Sequence, residues 1–181
     1  MKRISIIIIS LIICICASAQ SNGHMKFMGI PMGVSISSFQ TKLAAKGVKY
    51  DPLSRQLKDA VRLYHGKFAG YDAIIFVYYD TKTKIVYRAK ACIERSTKEL
   101  LNILTNEVSL MLYKKYGFDK INFIEEDDVY CVNSDEGYIN LYKSKEKADY
   151  YEHYDDYYML HIDYFDIVAQ NQDMKSRMDD L

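Results

Sequence analysis

The stretch from Tyr71 to Gly117 constrains the fold more than any other part of the chain. Tyr71–Tyr79 (YDAIIFVYY) is β-branched and aromatic and reads as a strand, and Asp80–Thr83 is a polar turn. Lys84–Glu94 (KIVYRAKACIE) then alternates with a period of two. Ile85, Tyr87, Ala89, Ala91 and Ile93 share one face, while Val86, Arg88, Lys90 and Cys92 share the other. Ser96-Thr97-Lys98-Glu99 fits a capping box and predicts a helix from Ser96 to Tyr116. In it Leu101, Leu104, Val108, Met111 and Leu112 make an apolar face. Lys114 and Lys115 suit the negative end of the helix dipole, and Gly117 closes it. A hairpin followed by an amphipathic helix hides its apolar surfaces by laying the helix on the hairpin, which is an α+β arrangement.

The flanking segments extend this layout. Ser35 is the expected cap of a first helix ending at Gly47, with Val34 and Phe39 as its hydrophobic staple and Ile36, Phe39 and Leu43 as its apolar stripe. Lys49–Ala60 reads as a loop or short helical turn, Val61–Phe68 as a strand and Ala69-Gly70 as a turn. After Gly117 come an apolar approach (120–124), an acidic loop (125–128), strands at 129–132 and 138–143, a charged tip and a last strand, Tyr157–Ala169. Residues 170–181 are polar and expected to form a flexible tail.

Helix then three strands therefore occurs twice, in halves 26–94 and 95–169 of a single domain spanning 20–169. The helix ends Gly47 and Gly117 lie 70 residues apart, and the strand starts Gly70-Tyr71 and Gly137-Tyr138 lie 67 apart. Similar offsets in the same order suggest an internal duplication. The expected fold is two α-β-β-β repeats forming one antiparallel sheet with both helices on one face.

The N-terminus reads as an export signal. Lys2 and Arg3 precede an apolar run from Ile4 to Ile15, and Ala17-Ser18-Ala19 has the small residues of a cleavage site. The run is too short and wrongly flanked for a membrane anchor. Cleavage near Ala19 leaves 162 of the 181 residues and a secreted or periplasmic product with no transmembrane span. Without Lys2 and Arg3, 22 basic residues face 24 acidic ones, a formal charge of −2. No basic excess is left to neutralise phosphates, so nucleic acid is not an expected partner. Cys14 and Cys16 leave with the signal. An oxidising compartment permits a disulfide between the remaining Cys92 and Cys131, and two buried free thiols are the other reading.

The opening FMGIPMG, followed by Phe39, Leu43 and Lys46-Gly47, resembles small exported proteins of gut Bacteroidetes. The tandem helix-plus-sheet order, from Lys26 to Ala169, is similar to β-lactamase-inhibitor-protein-like folds. That resemblance implies one antiparallel sheet, helices on one face, and a concave face that binds proteins without catalysis. No binding residue of that family matches a position here.

Tyrosine is the compositional anomaly, with 17 residues and no tryptophan. Tyr150, Tyr151, Tyr154, Tyr157 and Tyr158 crowd nine positions, and tyrosine offers a flat contact with a polar tip at low entropic cost. These five are the expected contacts for a protein or glycan partner. Cross-strand packing is the competing use, and parity adds Tyr64, Tyr78 and Tyr87 as candidates. The run Glu125–Asp128, with Asp135 and Glu136, lacks the spacing of an EF-hand. His153, His161, Asp155 and Asp163 lie too far apart along a strand for one ion, so no metal or cofactor is expected. No Gly-x-Ser-x-Gly, HExxH or phosphate loop occurs, and no catalytic residue is assigned. The reading favoured is an exported, non-enzymatic binding module. The alternatives are a hydrolase assembled from His161, Asp163 and Cys92, or a structural envelope component.

Overall fold

The structure, a computed structural model, describes residues 23–57, 60–147 and 156–178. In chain order the elements are β1 (Lys26–Phe27), β2 (Ile30–Pro31), α1 (Ile36–Ala44), β3 (Lys49–Tyr50), β4 (Val61–Phe68), β5 (Tyr71–Tyr79), β6 (Val86–Arg95), α2 (Lys98–Tyr116), β7 (Ile121–Ile124), β8 (Val129–Ser134), β9 (Gly137–Lys147), β10 (Asp156–Asp166) and α3 (Ile167–Met178). The fold is α+β. β3 to β10 form one antiparallel sheet in the order β3-β4-β5-β6-β10-β9-β8-β7, and β1-β2 form a small hairpin. Each half of the sheet is a meander that starts at an outer edge and ends in the middle, where β6 pairs with β10. Four strands follow each of α1 and α2, one more than expected. The two-residue β3 and the four-residue β7 are too short to leave a period-two signal.

Strand parity sorts the sheet into two faces. Tyr64, Ile75, Ala91, Ile162, Leu141, Tyr130 and Phe123 align across seven strands by register. Ile75, Ala91, Ile162 and Leu141 are fully buried, and they join Phe39 and Leu43 of α1 and Leu101, Leu104 and Val108 of α2 in one core. Every strand residue of β4–β6 and β8–β10 in that core has this parity, Val86 beside the β5–β6 irregularity excepted. Both helices thus lie on one face.

Local chemistry explains the helices. The Ser35 hydroxyl accepts from the Ser38 amide, as a cap should. In α2 the cap is Thr97 rather than the expected Ser96, its hydroxyl accepting from the Leu100 amide at 3.2 Å. This one-residue shift puts Glu99 in the first turn, where it favours the dipole without closing a capping box. Met111 is 47 % exposed and not part of the buried stripe. Thr105 and Ser109 take the buried positions instead, each donating to a carbonyl one turn back at 2.8 and 2.6 Å.

The end of the chain departs from the expected tail. β10 stops at Asp166 and a helix follows. The fully buried Asp166 carboxylate accepts from the Ala169 amide at 2.7 Å, from the Met25 amide at 2.9 Å and from His24 Nδ1 at 3.0 Å. It starts α3 and ties the N-terminal segment to it. Among the described residues no helix is long and apolar enough to cross a membrane.

Candidate functional site

The face that neither α1 nor α2 covers carries the other parity. The register sets Tyr78, Arg88, Phe165 and Tyr138 in a row across β5, β6, β10 and β9. The next row holds Phe76, Lys90, Asp163 and Asn140, and the third Ile74, Cys92, His161 and Tyr142. These rows cross the middle of the sheet, where strand pairing is longest.

Arg88 is the centre of the first row. Its guanidinium lies 4.6 Å from the centroids of both the Tyr78 and Phe165 rings. Nε and an Nη donate to the two oxygens of Asp163 at 2.9 and 2.6 Å, a bidentate pair. Phe165 in turn stacks on Tyr138, with centroids 4.5 Å apart. Lys90 sits over Phe76 at 5.1 Å. Burial raises the Tyr78 and Tyr138 hydroxyls above their usual range, so both are neutral donors and acceptors at physiological pH. The face is thus an interlocked aromatic and ionic lattice, half-buried by its own neighbours.

The third row contains a chain of hydrogen bonds. Cys92 Sγ is 3.2 Å from His161 Nδ1, His161 Nε2 is 2.8 Å from Ser144 Oγ, and Ser144 donates to Glu146 at 2.9 Å. The Tyr142 ring stacks on the imidazole, 4.6 Å away and 11° from parallel. Burial, helped by Lys90, pulls the His161 pKa down to about 4, and burial pushes the Cys92 thiol up to about 11. The protons follow from this. A hydroxyl that donates to Glu146 must accept from His161 Nε2–H. The neutral ring then has a bare Nδ1, which accepts from the Cys92 thiol.

That polarity bears on catalysis. His161 Nε2–H donates to Ser144 and takes no proton from it, while bare Nδ1 faces the Cys92 thiol with a pKa far below the thiol's, so both nucleophile candidates remain protonated. Asp163, the third hydrolase candidate, is occupied by Arg88. Sequence reasoning named Cys92, His161 and Asp163 together, and the β6–β10 register brings them onto one face.

The remaining sequence candidates are dispersed. Tyr150, Tyr151 and Tyr154 lie outside the described residues. Adjacent in β10, Tyr157 and Tyr158 fall on opposite faces. Tyr157 opposes Glu146 with the parity of His161, while Tyr158 packs against the core. Tyr158 also borders a cavity of about 350 Å³ beside Lys98, Asn102, Asp128 and Lys143. Tyr78 is on the face away from α1 and α2, but Tyr64 belongs to the core and Tyr87 has the core parity. Cys92 and Cys131 are free thiols, the second of the two readings, with Cys92 buried and Cys131 half-buried. β10 and β9 lie between their strands, which puts the two backbones roughly 14 Å apart by strand spacing, twice what a disulfide spans. His24 and His65 pair with Asp166 and Asp51 at 3.0 and 2.7 Å. Among the described residues no group of three or more His, Cys, Asp and Glu side chains is placed to hold a metal ion. Sequence reasoning missed Arg88, Phe76, Phe165, Tyr138 and Tyr142 as site residues. Their alternation with the buried residues of each strand was the available signal.

No family model, curated protein or solved structure matches this chain.

Proposed function

We propose that this is an exported, non-enzymatic binding module whose sheet face opposite α1 and α2 receives a protein partner. The observation that carries the reading is the interlocked row Tyr78–Arg88–Phe165–Tyr138, held by Asp163 on a face that neither α1 nor α2 covers. Arginine and tyrosine held in one geometry lose little conformational freedom on binding, which is what interface anchors need. The leader-like residues 1–19 support export. The mirrored strand order supports an internal duplication and the similarity to tandem αβ inhibitor-like folds.

A hydrolase reading has one observation in its favour, the approach of Cys92 to His161. The raised thiol pKa and the lowered imidazole pKa count against it. The test is capture from envelope extract by immobilised wild-type protein and by a Tyr138→Ala/Phe165→Ala variant, followed by affinity measurement with the purified captured protein. Retention by the wild type and at least about tenfold weaker binding by the variant is expected, as for loss of a two-aromatic anchor. A folded wild type that retains no protein, or a variant that binds equally well, overturns the reading. Retention of a glycan alone would move it to the carbohydrate class.

A further inference from the structure

The third row of the accessible face continues past the middle of the sheet, through Ile74 to His65 on β4 and Lys49 on β3. Asp72 and Glu94 stand two positions further along β5 and β6, in the same direction from Ile74 and Cys92. Ile74 and Cys92 form the apolar floor of a cavity of about 420 Å³, which Lys49, His65, Asp72 and Glu94 border. That size suits a small ligand. The cavity shares no residue with the Tyr78–Arg88–Phe165–Tyr138 row and lies roughly 14 Å from it along β6.

The charges around the cavity are divided. The basic side chains come from β3 and β4, and the acidic ones from β5 and β6. Two of the four are already paired: His65 Nε2 lies 2.7 Å from Asp51, and Asp72 lies 3.1 Å from Lys67. Lys49 and Glu94 are both exposed, and among the described residues neither side chain has an ion-pair or hydrogen-bond partner. Three strand spacings and one step along the strand separate their backbones by roughly 16 Å, and side chains stand upright on a sheet, so the two do not neutralise each other.

We infer that this cavity binds a short peptide of about three residues with both ends free, its carboxylate on Lys49 and its ammonium on Glu94. Three extended residues span roughly 10 Å, and a charge-assisted contact of about 3 Å at each end closes the distance. A single amino acid is too short to reach both charges. A dianion or a dication would meet a like charge at one end. The middle of the peptide lies on Ile74 and Cys92.

NMR titration of the purified protein with trialanine, N-acetyl-trialanine and trialanine amide tests the inference. Trialanine should saturate the wild type in the millimolar range, and capping either end should weaken binding about fivefold, the worth of one partly exposed charge pair. Lys49→Gln should bind trialanine about fivefold more weakly and cease to distinguish it from its amide, while still preferring the free amine. Glu94→Gln should do the converse. Circular dichroism should be unchanged in both variants, since both side chains are exposed. A wild type that trialanine does not saturate overturns the inference, as does binding indifferent to the caps. Variants that keep the wild-type discrimination, or lose it for the wrong end, overturn it too.

Discussion

Ile162 and Asp163 are adjacent in β10 and almost equally hidden from water, 0 % and 2 % exposed, for opposite reasons. Ile162 is covered from outside its strand, by the helix layer that α1 and α2 contribute. Asp163 is covered by its own neighbours on the sheet, chiefly Arg88, which itself lies between Tyr78 and Phe165. The first face holds the fold together by apolar burial. The second face is interlocked by charge pairing and ring stacking, and it remains accessible. A surface ordered before a partner arrives loses less entropy when the partner does.

This difference implies unequal costs of truncation. Ile162→Ala leaves a cavity in a core with no helix-side room to collapse, and should destabilise by about 3–4 kcal/mol. For a chain of this size that lowers Tm by roughly 10 °C. Phe165→Ala, three residues away on the other face, removes the Tyr138 stack and the Arg88 contact and should cost about 1–2 kcal/mol. Chemical denaturation of both variants checks the ratio. Equal losses would mean that both faces are structural core.

Much of this asymmetry was legible in the sequence, because period two survives in long strands. Ala89, Ala91 and Ile93 against Arg88, Lys90 and Cys92 divides β6 correctly. What was not legible is pairing between distant strands. That β6 meets β10, and so Cys92 meets His161 across 69 residues, is set by how two meanders dock, and no local pattern encodes it. β3 and β7 are too short to display a period. α3 was missed because its composition is polar, although Asp166 carried a readable cap signal. Gly70 and Gly137, equal by spacing, serve different ends. Gly70, with Ala69, supplies the positive φ of a tight hairpin, whereas a Cβ on Gly137 would fall 1.9 Å from the Phe165 carbonyl oxygen.

Acid sharpens the comparison, because His161 is the buried base of the accessible face. Burial sets its folded pKa at about 4, against 6.5 in the unfolded chain. Between these values the unfolded chain takes up a proton that the folded protein refuses. Stability therefore falls as pH is lowered from about 6.5 towards 4, by up to about 3 kcal/mol, and this contribution levels off below that. His161→Gln can accept from Cys92 and donate to Ser144 without titrating. Denaturation curves from pH 7.5 to 4 should show the wild type losing stability that the variant keeps. Parallel curves would mean that the imidazole is protonated in the fold.

The Arg88–Asp163 pair gives the most direct test of what the accessible face is for. Arg88→Ala leaves a carboxylate that is 3 % exposed without its bidentate partner. Full burial of such an orphan costs about 3–5 kcal/mol, but the Arg88 side chain is itself 29 % exposed, so water can enter the space it vacates. A loss of about 2 kcal/mol is expected. Removing both charges, as Arg88→Met with Asp163→Leu, should recover most of it, since an apolar pair can replace an ion pair at little cost. Equilibrium denaturation of the two singles and the double gives the coupling. If the double variant is as stable as the wild type yet no longer binds the partner, the pair is there for recognition. If the double is as unstable as the single, the ion pair holds the two halves of the sheet together at the β6–β10 seam, and the accessible face shares the structural task of the covered one.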